Sequence, residues 1–245
     1  MRRDLLLSTV FLLTAWAIIA LLLNQPILPA PWAVAVAFWR ELGRELPWHF
    51  LASLWRITAG VGLAVGLAAP AGLILGQSRR FNRLFSPLIY LLYPIPKVVF
   101  VPVVLLILGI GDFSKIIIIF LILFFQILVL TRDQAATLRP ELIQSVRSLG
   151  AGRRALFRYV YLPATLPAIF TALRQSVGTA VAVLYVAELF ATRRGLGYYI
   201  SLQSSTLFNY PAMYAGIVAM SLLGLGMYFF VDWLEHHLCR WRFIE

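Results

Sequence analysis

Residues 113–131 read FSKIIIIFLILFFQILVLT, nineteen positions with one charge, Lys115, and one amide, Gln126. That length and composition match the roughly 20 apolar residues with which a helix crosses a bilayer core. Five more runs share the character, 5–23, 55–76, 86–108, 166–189 and 212–234. The sequence therefore predicts six spans and an all-α, polytopic membrane protein. Composition agrees. The chain is 61% hydrophobic and 13% charged with a mean hydropathy of +0.86, against roughly 45–50% and about 25% in soluble domains. The longest pieces outside the runs, 24–54 and 132–165, fall short of the roughly 50 residues of a minimal domain. One membrane domain is expected to fill the chain, with no soluble catalytic domain attached. The layout is an N-terminal span with an extracytoplasmic interfacial segment (1–54), a transmembrane core (55–234) and a cytoplasmic tail (235–245).

A net charge of +11 and a pI near 10.4 would suggest nucleic acid in a soluble protein. In a membrane protein, basic residues set orientation, and a lipid partner replaces a nucleic-acid one. With the N-terminus inside, 13 arginines fall on the inner side, at 2, 3, 79, 80, 83, 132, 139, 147, 153, 154, 158, 240 and 242. Six basic residues fall outside: Arg40, Arg44, Arg56, Lys115, Arg193 and Arg194. The asymmetry predicts that both termini are cytoplasmic. Met1-Arg2-Arg3 leads an apolar stretch longer than a signal-peptide core, and no convincing cleavage site follows, so 5–23 is expected to stay as a span.

Scarcity excludes several chemistries. Neither lysine, Lys97 or Lys115, follows a glycine, so no Walker A loop exists to cradle nucleotide phosphates. The histidines, His49, His236 and His237, form no HExxH zinc pair, and there is no Gly-x-Ser-x-Gly elbow. An enzyme is disfavoured. The single Cys239 cannot form an internal disulfide.

Within the spans, four features stand out. Gly62 and Gly66 make a G-x-x-x-G pair that lets helix backbones approach, and Pro70 follows as an expected kink. Tyr93-Pro94-Ile95-Pro96-Lys97 removes two backbone donors and breaks regular helix. Inside a membrane such backbone is tolerated only within protein or beside a watery cavity, so Pro94, Pro96 and Lys97 are candidates for a translocation path. Lys97 could attract an anionic substrate, snorkel to the interface, or pair with a carboxylate. Glu188 is an acid well inside a span, costing about 2.5–3.5 kcal/mol near the bilayer centre. It should face a cavity or a cation such as Lys97, Arg174, Arg193 or Arg194. Proton coupling, a structural pair and a gate-side hydrogen-bond anchor all remain open for it. Asp232, at the inner end of the last span, needs no special role.

Between the fourth and fifth spans, Leu142, Val146 and Leu149 recur at helical spacing and Gly150 and Gly152 punctuate them. A second short helix should follow, ending where Leu162-Pro163 leads into the membrane. Two short amphipathic helices at a glycine corner suit docking into a partner's groove, or lying on anionic lipid.

The same stretch resembles the EAA loop of binding-protein-dependent ABC importer permeases. That motif runs Glu-Ala-Ala, three residues, Gly, about nine variable residues, then Ile-x-Leu-Pro. Here Gln144-Ser145-Val146 occupy the first three positions, followed by Arg147-Ser148-Leu149, Gly150 and Ala151, and Tyr159-Val160-Tyr161-Leu162-Pro163 supplies the end. The Glu-Ala-Ala itself is replaced. Pro94-Ile95-Pro96-Lys97, the run Gly109–Lys115, Val186-Ala187-Glu188 and Gly195-Leu196-Gly197-Tyr198 are similar to the nitrate/sulfonate/taurine-type permeases. Phe124-Phe125-Gln126 departs from them, the family often having proline third.

The resemblance implies a type I ABC importer-like permease fold in a bacterial inner membrane. It implies docking of the 132–165 loop, through residues 144–151 with Leu162 and Pro163, onto a cytoplasmic ATP-binding subunit that carries ATP and Mg. No cofactor would be bound by this chain. It also implies a second permease subunit, identical or not, and an extracytoplasmic substrate-binding protein. The cargo would be a small anion such as nitrate, sulfonate, taurine or bicarbonate, or a vitamin precursor. The alternative is a stand-alone secondary transporter coupled to protons through Glu188.

Overall fold

The long apolar runs all fold as helices, and no strand occurs among the described residues. The computed structural model describes residues 2–190 and 192–243. Met1, Ala191, Ile244 and Glu245, and the side chains of Arg2, Arg3 and Leu5, lie outside that description. So do the start of the Met1-Arg2-Arg3 run and the end of the 235–245 tail. The helices are α1 (Arg2–Leu23), α2 (Pro31–Leu42), α3 (Leu46–Gln77), α4 (Arg79–Leu92), α5 (Val101–Leu108) and α6 (Asp112–Ala136). They continue as α7 (Pro140–Ser148), α8 (Arg153–Leu156), α9 (Leu162–Leu189), α10 (Leu196–Ser201) and α11 (Tyr210–Leu238).

Five helices are long and apolar enough to cross a bilayer. A sixth span exists if α4 and the segment Lys97–Leu108, which meet at 77°, count as one. The predicted third span, 86–108, is therefore a broken one. Its break falls at Tyr93–Pro96, where two prolines withhold backbone donors, and a short 3-10 turn, Lys97–Phe100, restarts the helix. Lone prolines act differently: α3 continues through Pro70 and α9 through Pro167.

Two boundaries differ from the sequence reading. The second span begins at Leu46 rather than 55, because Pro47 sits in the first turn, where a missing N–H costs nothing. The polar interval before it is the true break. The second short helix of the loop does not end at Leu162-Pro163. A π turn over Phe157–Tyr161 joins α8 to α9, giving an uninterrupted helical stretch Arg153–Leu189.

The chain divides into two units. The first holds Met1–Leu54 and Glu188–Leu223. In it Trp16 of α1 stacks on Tyr214 of α11 at 5.8 Å, and bare Gly216 lets α11 lie against Tyr199 and Ile200 of α10. A Cβ at Gly216 would sit 2.8 Å from the Ile200 side chain. Most of α1 is apolar and exposed, as a lipid-facing helix should be.

The second unit holds Trp55–Ala187 and Gly224–Glu245. Its core runs through Ile57, Ala64, Ala68 and Leu73 of α3, Ile119, Leu123 and Ile127 of α6, and Ala172, Ala180 and Leu184 of α9. Helices α3 and α6 approach at Gly60, Gly72 and Gly76, where an added Cβ would lie 2.7, 2.8 and 2.5 Å from α6 atoms. The G-x-x-x-G pair is not the contact: Gly62 and Gly66 have nothing within 4 Å of the Cβ position. The close approach expected at Gly62 and Gly66 is made instead by Gly60, Gly72 and Gly76, on another face of the helix.

Candidate functional site

Three groups of residues carry functional geometry, and the first is the loop between α6 and α9. Pro140 starts α7 with its φ already helical and Glu141 in the first turn. Arg147 occupies the last turn, and Gly150 closes the helix at φ +81, donating its N–H to the Arg147 carbonyl at 2.9 Å. That left-handed conformation suits glycine. Ser148 donates to the Ser145 carbonyl at 2.8 Å. No residue of α7 is buried. Leu142 is half exposed and Leu149 is 84% exposed, so the apolar stripe predicted at 142, 146 and 149 has no cover within this chain at either of those leucines. Beyond the corner, Leu156 and Val160 turn inward and are buried. Gln144, Ser145, Val146, Arg147, Ser148, Leu149, Gly150 and Ala151 thus lie together on one accessible element. Leu162 and Pro163 stand at the first turn of α9, half-buried.

The second group is the proline break. Lys97 folds back and donates to the carbonyls of Leu92, Tyr93 and Ile95 at 3.0, 2.9 and 3.3 Å. It also lies 4.7 Å from the Phe125 ring centroid. Its ammonium satisfies the carbonyls that α4 leaves open at its C-terminus. Backbone capping together with a cation–π contact was not among the three options read from sequence. Pro94 and Pro96 are exposed beside it.

The third group surrounds Glu188, in the first unit, whereas Lys97 belongs to the second. Glu188 is fully buried. Both its oxygens accept from the Ser53 hydroxyl, at 2.8 and 2.9 Å, and Oε2 also accepts from the Gly197 N–H at 2.8 Å. Ser53 in turn accepts from the Leu196 N–H at 2.8 Å, and His49 Nδ1 accepts from the Gly195 N–H at 3.1 Å. Charge-assisted bonds of this kind offset part of the cost of burying a carboxylate. These bonds make Glu188 a hydrogen-bond acceptor for Ser53 and for the Gly197 amide. Nearby, burial raises the phenol of Tyr199 above its ordinary range, and the Glu41 carboxylate adds to the effect.

Sequence reasoning missed His49 and Ser53. Their spacing of four along an otherwise apolar helix start was the available signal. It also missed two ion-pair systems of the second unit. Arg56, buried in α3, binds Asp112 at the start of α6 through Nε and Nη2 at 2.9 and 2.7 Å. Arg174 of α9 pairs with Asp232 at 2.7 Å and with Glu235, and Arg242 of the tail reaches the same buried Glu235. Asp232 therefore has a role after all, as one arm of a network joining α9, α11 and the tail. The tail's Trp241 and Arg242, with Gln134, Thr171 and Gln175, line an open cavity of about 500 Å³. No cluster able to hold a metal ion occurs among the described residues.

Comparison with known proteins gives these groups a setting. A family model described as "Binding-protein-dependent transport system inner membrane component" matches residues 68–239. A probable ABC transporter permease of Brucella abortus is 32% identical over 187 residues, 76% of this chain and 74% of that protein. The formylaminopyrimidine transport permease of Halalkalibacterium halodurans is 31% identical over 232 residues, 94% of this chain and 92% of that protein. The taurine transport system permease of Escherichia coli is 30% identical over 187 residues, 76% and 68% of the two chains. Among solved structures, an inward-facing MetNI methionine ABC transporter matches with a TM-score of 0.63 at 19% identity. That match covers 77% of this chain and 93% of that one, and it supports the fold alone.

Proposed function

The chain belongs to the binding-protein-dependent transport system inner membrane components, a multi-pass permease subunit of an ABC importer, and from that premise we propose what it carries and how it is driven. It is a transport subunit without a catalytic domain. Its cargo is a small solute handed over by an extracytoplasmic binding protein. Taurine, sulfonates and formylaminopyrimidine, the solutes named for its relatives, mark the class, with nitrate, bicarbonate and other vitamin precursors beside them. Two permease subunits line the path in a bacterial inner membrane, with both termini in the cytoplasm. A separate ATP-binding subunit holds ATP and Mg and receives residues 138–152.

The observation that carries this reading is α7. A helix whose exposed Leu142 and Leu149 find no cover in their own chain, closed by a left-handed glycine, is built to be covered by something else. Closure of the ATP-binding subunits would push α7. Because α8 runs into α9 without interruption, that push would reach a membrane span directly.

Gly150→Arg tests the assignment. A Cβ at Gly150 meets nothing within 4 Å, but its φ of +81 strains any side chain. Gly150→Ala carries the same backbone cost, so it is the control, and the added loss in arginine reports on the partner's side of the contact. The arginine variant should insert normally, lose copurification with the ATP-binding subunit and abolish uptake. Normal transport by it would remove α7 from the docking role. Proton coupling through Glu188 has less support, since both carboxylate oxygens are engaged by Ser53 and Gly197. Gradient-driven flux in vesicles holding this chain alone, lost on Glu188→Gln, would reinstate it.

A further inference from the structure

We propose that His49, Ser53 and Glu188 are positioning residues for transport, forming a releasable, proton-sensitive latch on three consecutive backbone amides, those of Gly195, Leu196 and Gly197. The inference rests on the importer reading and adds to it a set of bonds that the transport cycle must break and remake.

Gly195 is the N-cap of α10, and Leu196 and Gly197 begin its first turn. There the helix leaves its own N–H groups without a partner, and water or a single capping side chain ordinarily meets them. Here each is taken by a different side chain: Gly195 N–H by His49 Nδ1, Leu196 N–H by Ser53 Oγ, and Gly197 N–H by Glu188 Oε2. The acceptors come from the start of α3 and the end of α9, on either side of about 130 residues of sequence. Gly195 has φ +124, a conformation reserved for glycine. It turns the chain so that all three N–H groups meet those side chains. His49, Ser53, Glu188, Gly195, Leu196 and Gly197 are all buried.

Ser53 links the set. Its oxygen accepts from Leu196 while its hydroxyl donates to Glu188, so loss of either bond unsettles the other. A buried polar network of this kind is stable when every member is satisfied and costly when half satisfied. It favours two states, closed or fully opened to water, over a continuum of intermediate ones.

The proton sensitivity follows from His49. Nδ1 accepts from an N–H, so it carries no proton in the closed latch. Protonation would place a second N–H against the Gly195 amide and break that bond. The charged and titratable groups facing the imidazole include Glu45, whose Oε2 lies 3.9 Å from Nε2, and the Tyr198 and Tyr199 rings at 5.8 and 5.3 Å. Glu41 and Arg44 lie beside Tyr199, Glu188 lies beyond Ser53, and Arg194 adjoins Gly195 in sequence. The latch is closed while His49 is neutral and opens when the imidazole takes up a proton.

Hydrogen exchange on the importer complex in nanodiscs tests this without knowing the cargo. The complex is compared free of nucleotide and trapped with MgATP and orthovanadate. At alkaline pH the amides of 195–197 should exchange about tenfold or more faster in one of the two states, and His49→Ala or Ser53→Ala should erase that difference. His49→Asn is the discriminating variant, because its Oδ1 can take the place of Nδ1 but cannot titrate. It should retain the protection and lose its pH dependence after correction for intrinsic rates. A purely structural role would leave the protection equal in both nucleotide states, and that result overturns the latch. Parent-like pH dependence in His49→Asn overturns the proton sensitivity. A complex that hydrolyses no ATP overturns the importer reading and the latch with it.

Discussion

Replacing Gly76 of α3 by alanine sets one methyl group against the backbone of α6. The new Cβ would lie 2.5 Å from both the Arg132 carbonyl oxygen and the Ala135 Cβ of α6, and 3.1 Å from the Ala136 nitrogen. Backbone and an alanine methyl cannot rotate aside. Ordinary contact begins at 3.4 Å, so α3 and α6 must part locally by about 0.9 Å. A gap of about 0.5–1 Å forfeits a quarter to a half of the dispersion energy of the atoms it separates, and the parting would also loosen the contacts at Gly72 and Gly60. Overpacking by a methyl group typically costs about 1–3 kcal/mol, and this site belongs in the upper half of that range because both obstructing atoms are fixed. Gly62→Ala and Gly66→Ala are the controls. Their Cβ positions are open, and alanine is the better helix former by about 1 kcal/mol in water. The assay is the fraction of purified chain that stays monodisperse on size exclusion after graded heating in detergent. Gly76→Ala should shift the midpoint down while Gly62→Ala leaves it level or raises it. Equal losses at positions 62 and 76 would refute the packing argument and restore the G-x-x-x-G pair as the contact.

Three further outcomes follow from the same geometry. Gly150→Ala meets no steric conflict, so its whole effect is the left-handed backbone cost of about 1–2 kcal/mol. It should weaken copurification with the ATP-binding subunit by about 5–30-fold, with Gly150→Asn less affected. Arg174→Ala should destabilise the chain by about 2 kcal/mol or more, since it strips a partner from fully buried Glu235. The double variant Arg174→Ala/Glu235→Gln should recover part of that loss in the same heating assay. Burial, and after it the Glu235 carboxylate, raise the Cys239 thiol above its ordinary value, with Arg242 opposing. The thiolate is the reactive form, so alkylation by a maleimide should be slow at neutral pH and keep accelerating past pH 9, the ordinary thiol value. Glu235→Gln should move that rise to lower pH.

The membrane architecture was legible because hydropathy is a local property. Residues 113–131 announce a span regardless of what surrounds them, and Pro94 and Pro96 announce a break for the same reason. The α7 element was legible too, since the Gly150 corner and the 142/146/149 stripe are periodicities within one helix. Partner choice was not legible. The G-x-x-x-G spacing at Gly62 and Gly66 named a chemistry but not a face, and the contact formed at Gly60, Gly72 and Gly76. Glu188 could be flagged as an acid in need of partners, but those partners, Ser53 and the Gly197 amide, lie 135 and 9 residues away along the chain. Asp232 looked like an ordinary interfacial acid until Arg174, 58 residues earlier, closed on it. Pairings of that range are set by how helices assemble, which no single-helix pattern contains.

The exposure of Leu149 bears also on the supply of the protein in the cell. On the proposed docking, a copy that has found its ATP-binding subunit would cover that leucine and the neighbouring face of α7. A copy that has not would show an exposed helix with two uncovered leucines and two exposed arginines, Arg139 and Arg147, an accessible substrate for proteases. Steady-state abundance of the permease should then follow that of its ATP-binding partner, and surplus subunits would be cleared without any dedicated regulator. The same patch proposed to transmit force in the finished complex would serve, in an unfinished one, as the mark by which it is removed.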